Sequence, residues 1–404
     1  MATPKLRFKD FGEDWTAKKL SQVANLTSSK RVHLSDYVSE GIPFFRGKEI
    51  TELKSGIFPK DILYISKKQY EDFKEKFGAP QNNEILMTAV GTLANTYLIN
   101  TDFEFYFKDG NLIWFKDINA DPNFLMILLD ARKNDVLASA IGSTQKALTI
   151  ANLNKLIFNF PSNEEQTKIA SFFSAVDEKI NQLTQKHELL SQYKQGMMQK
   201  LFSQQLRFKA DDGNEFREWS NKTIGDVANI KRGASPRPIN DSKWFDDSSS
   251  IGWVRISDVS KSKKYLLQTE QYLSTLGIQK SRLVPKGNLI MSICATIGKP
   301  IYTGFDVCIH DGFVVFSELQ AIHEYAYYYL EYIEKNWYQY GQPGTQVNLN
   351  SDIVSNEAFP FPCLEEQTKI ANFLSAIDQK IDVVSEQLEQ AKLWKKGLLQ
   401  QMFV

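Results

Sequence analysis

The sequence is poor in cysteine, histidine and unbroken apolar stretches, and each shortage excludes a class of protein. Cys294, Cys308 and Cys363 are an odd number with no CxxC spacing, so neither a disulfide framework nor a four-ligand zinc site is expected and a reducing cytosol fits. The histidines, at 33, 187, 310 and 323, include no pair at metal-ligand spacing. Apolar runs such as Phe124 to Leu129 fall far short of the roughly 20 residues that cross a bilayer. The opening Met1-Ala2-Thr3-Pro4-Lys5 lacks the apolar core of a secretory leader, so a cytoplasmic protein without membrane contact is expected. Excess charge of either sign is missing too. Lys plus Arg is 48 and Asp plus Glu is 48, which excludes a wholly basic nucleic-acid binder but leaves room for local basic faces.

What is present is ample apolar matter, written twice. With 42% hydrophobic and 12% aromatic residues, the 404-residue chain builds packed domains, and it is too long for one comfortable core. Glu164-Glu165-Gln166-Thr167-Lys168-Ile169-Ala170 returns unchanged 201 residues later as Glu365 to Ala371. Extended to Asn181 and Asp382, 13 of 18 aligned positions are identical. Weaker matches keep the same order: Leu6-Arg7-Phe8 with Leu206-Arg207-Phe208, Met87 to Thr92 with Met291 to Thr296, Asp109-Gly110 with Asp311-Gly312, and Phe160-Pro161 with Phe361-Pro362. A period near 200 residues is a tandem duplication of a whole domain plus one element, not a solenoid.

Each copy has two parts. Short β-rich runs such as Glu84 to Met87 and Leu289 to Ile293, punctuated by Gly, Pro and Asn, alternate with helical pieces at Asn123 to Leu137 and Ala321 to Trp337. These predict an α+β globular domain. A long helix then follows each Pro. Its apolar seam runs Ile169, Phe173, Val176, Ile180, Leu183, His187, Leu190, Lys194, Met197, Leu201, and in the second copy Ile370, Leu374, Ile377, Ile381, Val384, Leu388, Ala391, Lys395, Leu398, Met402. Spacings of three and four alternate without a slip, which is the heptad signature of a coiled coil. At 1.5 Å per residue each helix spans roughly 60 Å.

Chain continuity orders these parts. The first helix leads from the first domain to the second, and the repeat makes the second helix lead back, so the two run antiparallel with pseudo-two-fold symmetry. The sequence reads as circular, with its cut between Val404 and Met1. The expected domains are 1–162 and 206–363, globular, with helices over 163–205 and 364–404.

No catalytic set emerges. There is no P-loop, no G-x-S-x-G elbow and no H-E-x-x-H helix. Asp121-Pro122-Asn123-Phe124 lacks the second Pro of amino-methyltransferase motifs, and Asp61, Asp72 and Lys74 form too short a pattern to carry a nuclease. His310-Asp311 corresponds to Lys108-Asp109 in the first copy, which reads as a structural turn. No catalytic residue and no metal ligand is expected.

Clustered cations beside Ser, Thr, Asn and Gln are the binding candidates. In the first domain they are Lys30, Arg31, Arg46, Lys48, Thr92, Gln145 and Lys146; in the second, Lys231, Arg232, Arg237, Arg255, Ser257, Lys263, Thr296, Gln346 and Asn348. Arg grips a guanine edge with two hydrogen bonds, Asn and Gln an adenine edge, and Lys a phosphate. Solvated loops give the same clusters. Two domains on a spacer of fixed length suit a duplex with two separated half-sites. Off the seam, Tyr193, Met198, Trp394 and Leu399 are expected to face partner helices, while Lys194 and Lys395 interrupt the seam itself.

The twice-used Glu-Glu-Gln-Thr-Lys-Ile-Ala block after Phe-Pro, together with Trp253 to Asp258, Pro43 to Arg46, Met87 to Thr92 and Gly142-Ser143-Thr144-Gln145, resembles the specificity subunit of type I restriction–modification enzymes over essentially the whole chain. Arg46-Gly47-Lys48-Glu49 departs from the Arg-x-x-Asp of Arg255 to Asp258, and Ala295-Thr296 from Gly91-Thr92. The resemblance implies two target recognition domains, each reading half of a split double-stranded DNA target. It implies repeat helices that set the spacer and bind two modification subunits. Those subunits would hold S-adenosylmethionine for adenine methylation, and two restriction subunits using ATP and Mg would join where present. The chain itself would carry no cofactor. A two-headed coiled-coil scaffold binding proteins is the competing account, and it predicts no salt-dependent DNA binding.

Overall fold

The computed structural model describes residues 4–340 and 349–403. Two compact units make up the chain, Met1–Leu183 with Gln387–Val404, and Thr184–Glu386. The division falls inside both long helices, Asn163–Phe202 and Leu364–Met402, so each unit holds one globular head and a half of each helix.

In the first unit a four-stranded antiparallel sheet runs in the order Asn25–Thr27, Leu112–Lys116, Ile85–Thr88, Thr96–Leu98. Ile85, Leu86, Met87 and Thr88 are all buried, which is why this central strand reads as an unbroken apolar run. A second sheet orders Tyr37–Val38, Leu63–Ile65, Ile42–Phe45 and Tyr106–Phe107, with its last pair parallel. The helix Pro122–Ala131 starts where Asp121 accepts from the N–H groups of Asn123 and Phe124 with Pro in the first turn. Its apolar face, with Phe124, Leu125 and Leu128, joins Ile169 and Phe173 of the first long helix and Leu398, Met402 and Phe403 of the second in one core. Low numbers on one helix meet high numbers on the other, so the halves run antiparallel.

The second unit repeats the plan. A five-stranded sheet orders Asn229–Arg232, Phe313–Ser317, Leu289–Ser292, Pro300–Thr303 and Tyr265–Leu266. A four-stranded one orders Gln271–Tyr272, Gly252–Val254, Val307–Ile309 and Arg282–Val284. The helix His323–Ile333 passes into a 3-10 turn, Glu334–Tyr340. Met198, Leu201 and Phe202 pack here with Ile370, Leu374 and Ile377, again antiparallel.

The repeated motif is the joint between head and helix. Glu165 and Glu366 are buried and accept from Arg7 at 2.7 Å and from Arg207 at 2.9 Å, which explains why Leu-Arg-Phe recurs with Glu-Glu-Gln. Gln166 accepts from the Asp121 N–H at 3.0 Å and donates to the Pro161 carbonyl at 3.0 Å. Gln367 does the same with Ile322 at 2.8 Å and Pro362 at 2.9 Å. Within the first unit the Leu6 N–H donates to the Gln401 carbonyl at 3.0 Å, and within the second Leu206 donates to Lys200 at 3.1 Å. Leu6 thus meets the end of the second helix as Leu206 meets the end of the first.

Candidate nucleic-acid interface

In the first head, strand Ile85–Thr88 ends in a tight turn. The Thr88 hydroxyl donates to the Thr92 carbonyl, Ala94 N–H donates to the Thr88 carbonyl at 3.0 Å, and Asn95 N–H donates to Thr88 Oγ1 at 2.9 Å. Gly91 (φ +73°) and Ala94 (φ +56°) take the left-handed backbone that closes it, leaving Thr92 exposed. Three segments meet this turn. Leu148 N–H donates to the Ala89 carbonyl at 2.9 Å, which brings up the loop carrying exposed Gln145 and Lys146. Ala89 N–H donates to the Asn111 carbonyl at 2.8 Å, which sets the Asp109-Gly110 turn alongside, where Arg31 holds Asp109 at 3.3 Å. Asn95 donates to Thr51 Oγ1 at 2.9 Å, so helix Gly47–Lys54 after Arg46 lies against it as well. Lys48 on that helix is exposed, 3.7 Å from Glu52, and Lys30 lies over the Phe77 ring at 4.4 Å.

The second head builds the same turn from other residues. Ser292 Oγ donates to the Thr296 carbonyl, Gly298 N–H donates to the Ser292 carbonyl at 2.8 Å, and Lys299 N–H donates to Ser292 Oγ at 3.2 Å. Ala295 (φ +56°) and Gly298 (φ +80°) are left-handed at the positions of Gly91 and Ala94, so the Gly-to-Ala departure leaves the backbone path intact. Beside it, Asp311 accepts from Ser235 at 2.6 Å and Arg237 at 3.1 Å, and the Arg232 guanidinium donates to the Asp311 carbonyl at 2.7 Å. Thr296 Oγ1 is 3.2 Å from Ser260 Oγ on helix Ile256–Lys261, which also presents exposed Ser257. Lys231 is half-buried on strand Asn229–Arg232. Lys263 stands apart, paired at 2.7 Å with Asp382 of the second long helix. Gln346 and Asn348 lie outside the described residues.

The two arginines at the strand–helix junctions differ. Glu49, 1% exposed, accepts from the Arg46 backbone N–H at 2.7 Å and from its guanidinium at 2.5 Å. Burial pushes the Glu49 carboxyl up, but the Arg46 and backbone hydrogen bonds outweigh it and hold the group below its ordinary range. Asp258 likewise accepts from the Arg255 N–H, at 2.9 Å, but makes no bond to that guanidinium, which reaches Gln271 instead. Arg46 is therefore engaged in a buried helix cap, while Arg255 is turned to half-buried Gln271. Sequence reasoning treated the two alike because it saw the motif and not the partner across the sheet.

Other expectations are sorted by burial. Tyr193 and Trp394 are 51% and 54% exposed on the helices, Trp394 meeting Phe172 edge-on at 5.9 Å. Leu399 is half-buried against the first unit's core. Met198 is a correction. It is 5% exposed and sits in the second unit's core, where the head presents Tyr325 and Tyr329 to Phe202 and thereby covers an extra face of the helix. His310 is a turn residue as expected: burial pushes its imidazole below the ordinary value, and Nδ1 accepts from the Gly312 N–H at 2.8 Å. Among the described residues no three His, Cys, Asp or Glu gather as a metal site, and no helix is long and apolar enough to cross a membrane.

Residues 12–191 and 217–393 match the family described as type I restriction modification DNA specificity domain. The chain is 23% identical over 422 residues, 98% of its length and 94% of the other's, to a Methanocaldococcus jannaschii chain provisionally named the type I restriction enzyme MjaX specificity subunit. It is 24% identical over 398 residues, 90% of each chain, to the MjaVIII specificity subunit of the same organism. The solved type I restriction–modification S subunit from M. genitalium shares the fold, with a TM-score of 0.61, 18% identity, and coverage of 100% and 99% of the two chains. Two matched segments, one on each head and most of its helix, account for most of the chain: it belongs to the type I restriction–modification DNA specificity family, as a specificity subunit with two tandem recognition domains.

Proposed function

We propose that each head reads one half of a bipartite double-stranded DNA target and that the paired helices fix the gap between the halves. What supports this is the turn after Thr88 and its counterpart after Ser292. Both are closed by the same hydrogen bonds, and candidate side chains of separate segments stand beside each, Lys48, Gln145 and Lys146 at the first and Arg232, Arg237 and Ser257 at the second. Phosphate contacts by the exposed lysines would supply affinity and position, and the shorter polar side chains at the turns would supply base contacts.

The exposed faces of the helices, with Tyr193 and Trp394, carry two modification subunits in this reading. S-adenosylmethionine and the adenine chemistry belong to those subunits, and ATP and Mg to restriction subunits where these join. The specificity chain itself does no chemistry and works in the cytoplasm. No observation favours the protein-binding scaffold.

The test is co-purification with adenine methyltransferase subunits, followed by mapping of methylated adenines in host DNA. A motif in two parts with a fixed gap, lost when this chain is deleted, is the expected result. An unchanged map with no methyltransferase recovered would refute the reading. The chain alone with S-adenosylmethionine and DNA is expected to transfer no methyl group.

A further inference from the structure

Strand register shows why Arg46 and Arg255 behave differently. In the first head Phe44 lies opposite Leu63, and in the second Trp253 lies opposite Gln271. Since Phe44 and Trp253 each stand two residues before their arginine, Ile62-Leu63 and Glu270-Gln271 occupy matching places. At that place the first head has Ile62 and Leu63 instead of a Glu-Gln pair, and the Arg46 guanidinium folds back onto buried Glu49. In the second head Asp258 is one methylene shorter and is occupied by the N–H groups of Arg255 at 2.9 Å and Glu270 at 3.2 Å. The Arg255 guanidinium then crosses to Gln271 Oε1 and comes within 3.7 Å of Glu270 Oε2, while Glu270 Oε1 accepts from Lys261 at 2.8 Å. Side chains of Arg255 and Glu270 are 42% and 50% exposed.

We propose that Arg255 and Glu270, with Gln271 as positioning residue, read the major-groove edge of one G·C pair in the second head's half-site, and that the first head has no matching reader. This rests on the reading that the second head binds DNA. A guanine edge offers two acceptors, N7 and O6, and its cytosine offers the N4 amino donor beside them. A guanidinium next to a carboxylate is the complementary order of donor and acceptor. An A·T pair places its amino donor on the purine and an acceptor on the thymine, which opposes both groups. Gln271 holds the guanidinium in place before binding, so less side-chain freedom is lost on contact.

The test uses the intact chain with its modification subunits and duplexes carrying the mapped target. The wild-type complex must first prefer that target over scrambled DNA; no preference would remove the underlying reading and the proposal with it. Given a preference, each pair of the second half-site is replaced in turn. One G·C position is expected at which A·T costs the wild type roughly 10- to 100-fold in affinity. Arg255→Lys keeps the charge a phosphate would need, yet is expected to lose a similar factor on the target and nothing more at the altered pair. Glu270→Ala is expected to lose part of the same preference. Arg46→Lys is expected to leave every base preference in place. Equal weakening on target and scrambled DNA, undiminished target affinity of Arg255→Lys, a second half-site without a G·C pair, or a selective base effect of Arg46→Lys would each overturn the proposal while leaving bipartite recognition intact.

Discussion

Lys194 of the first long helix donates to Asp378 of the second at 2.8 Å, and the pair recurs 201 residues on as Lys395 with Asp177 at 2.5 Å. The two lysines that interrupt the apolar seams are therefore the cross-helix ion pairs of the two units. Their surroundings differ. Lys194 is 12% exposed and also holds Glu331 at 2.8 Å, so burial, which lowers a lysine, is outweighed by two carboxylates and the group stays above its ordinary value. Asp130, which matches Glu331 in the repeat, is bonded to Lys54 and Thr96 instead. Asp378→Asn is expected to cost about 1–3 kcal/mol in chemical denaturation because it weakens a buried charged network. Asp177→Asn, opposite a more exposed lysine, is expected to cost about 1 kcal/mol or less. Equal losses would show that burial does not set the difference.

A second prediction concerns the joint. Glu366 is fully buried and accepts from Arg207 and, at 2.9 Å, from the Trp219 indole. Glu366→Ala leaves both donors without their acceptor and is expected to destabilise the second unit by about 2–4 kcal/mol, read as a fall in the denaturation midpoint. Glu366→Gln restores one acceptor and is expected to recover part of the loss. A neutral effect of both would mean that the repeated block is not a structural joint.

The architecture was legible because duplication and heptad period are properties of order, which the sequence carries directly. The antiparallel sense followed from connectivity, and the strands Ile85–Thr88 and Leu289–Ser292 lie where their apolar runs put them. What escaped was whatever depends on a partner distant in sequence. Nothing near Arg255 says that Glu270 and Gln271 will cross the sheet to meet it, and although Glu49 is only three residues from Arg46, its burial is set by what packs over it from elsewhere in the chain. Met198 was misplaced for the same reason: helical period alone describes a two-helix seam, not a third surface supplied by Tyr325 and its neighbours. The Glu-Glu-Gln block drew attention as a motif, yet its chemistry, visible only with Arg7 and Arg207 in place, is that of a fastening.

Acid should act on the first head through Glu49. Its folded value lies below the ordinary 4.5, so the carboxylate contributes stability above that value and loses it as pH falls through the lower, folded one. Glu49→Gln is expected to be less stable at neutral pH by about 1–3 kcal/mol. The gap between variant and wild type should narrow as pH drops below 4.5. A gap that is constant from neutral pH to acid would place the loss in packing and not in charge.

The spacer reading makes a metric prediction. Removing residues 182–188 and 383–389 takes out one heptad at matching positions, with Leu183 and His187 from one seam and Val384 and Leu388 from the other. The a/d register is unbroken by such a cut, so the helices are expected to pair as before. Seven residues are about 10.5 Å of helix. At about 3.4 Å per base pair, the gap between half-sites should shorten by about three base pairs. The half-site sequences should stay the same, since no head residue changes. Mapping methylated adenines in cells carrying the shortened chain measures both quantities at once. A shorter gap with unchanged half-sites is the outcome a ruler requires, and an unchanged gap would place the ruler somewhere other than in the helices.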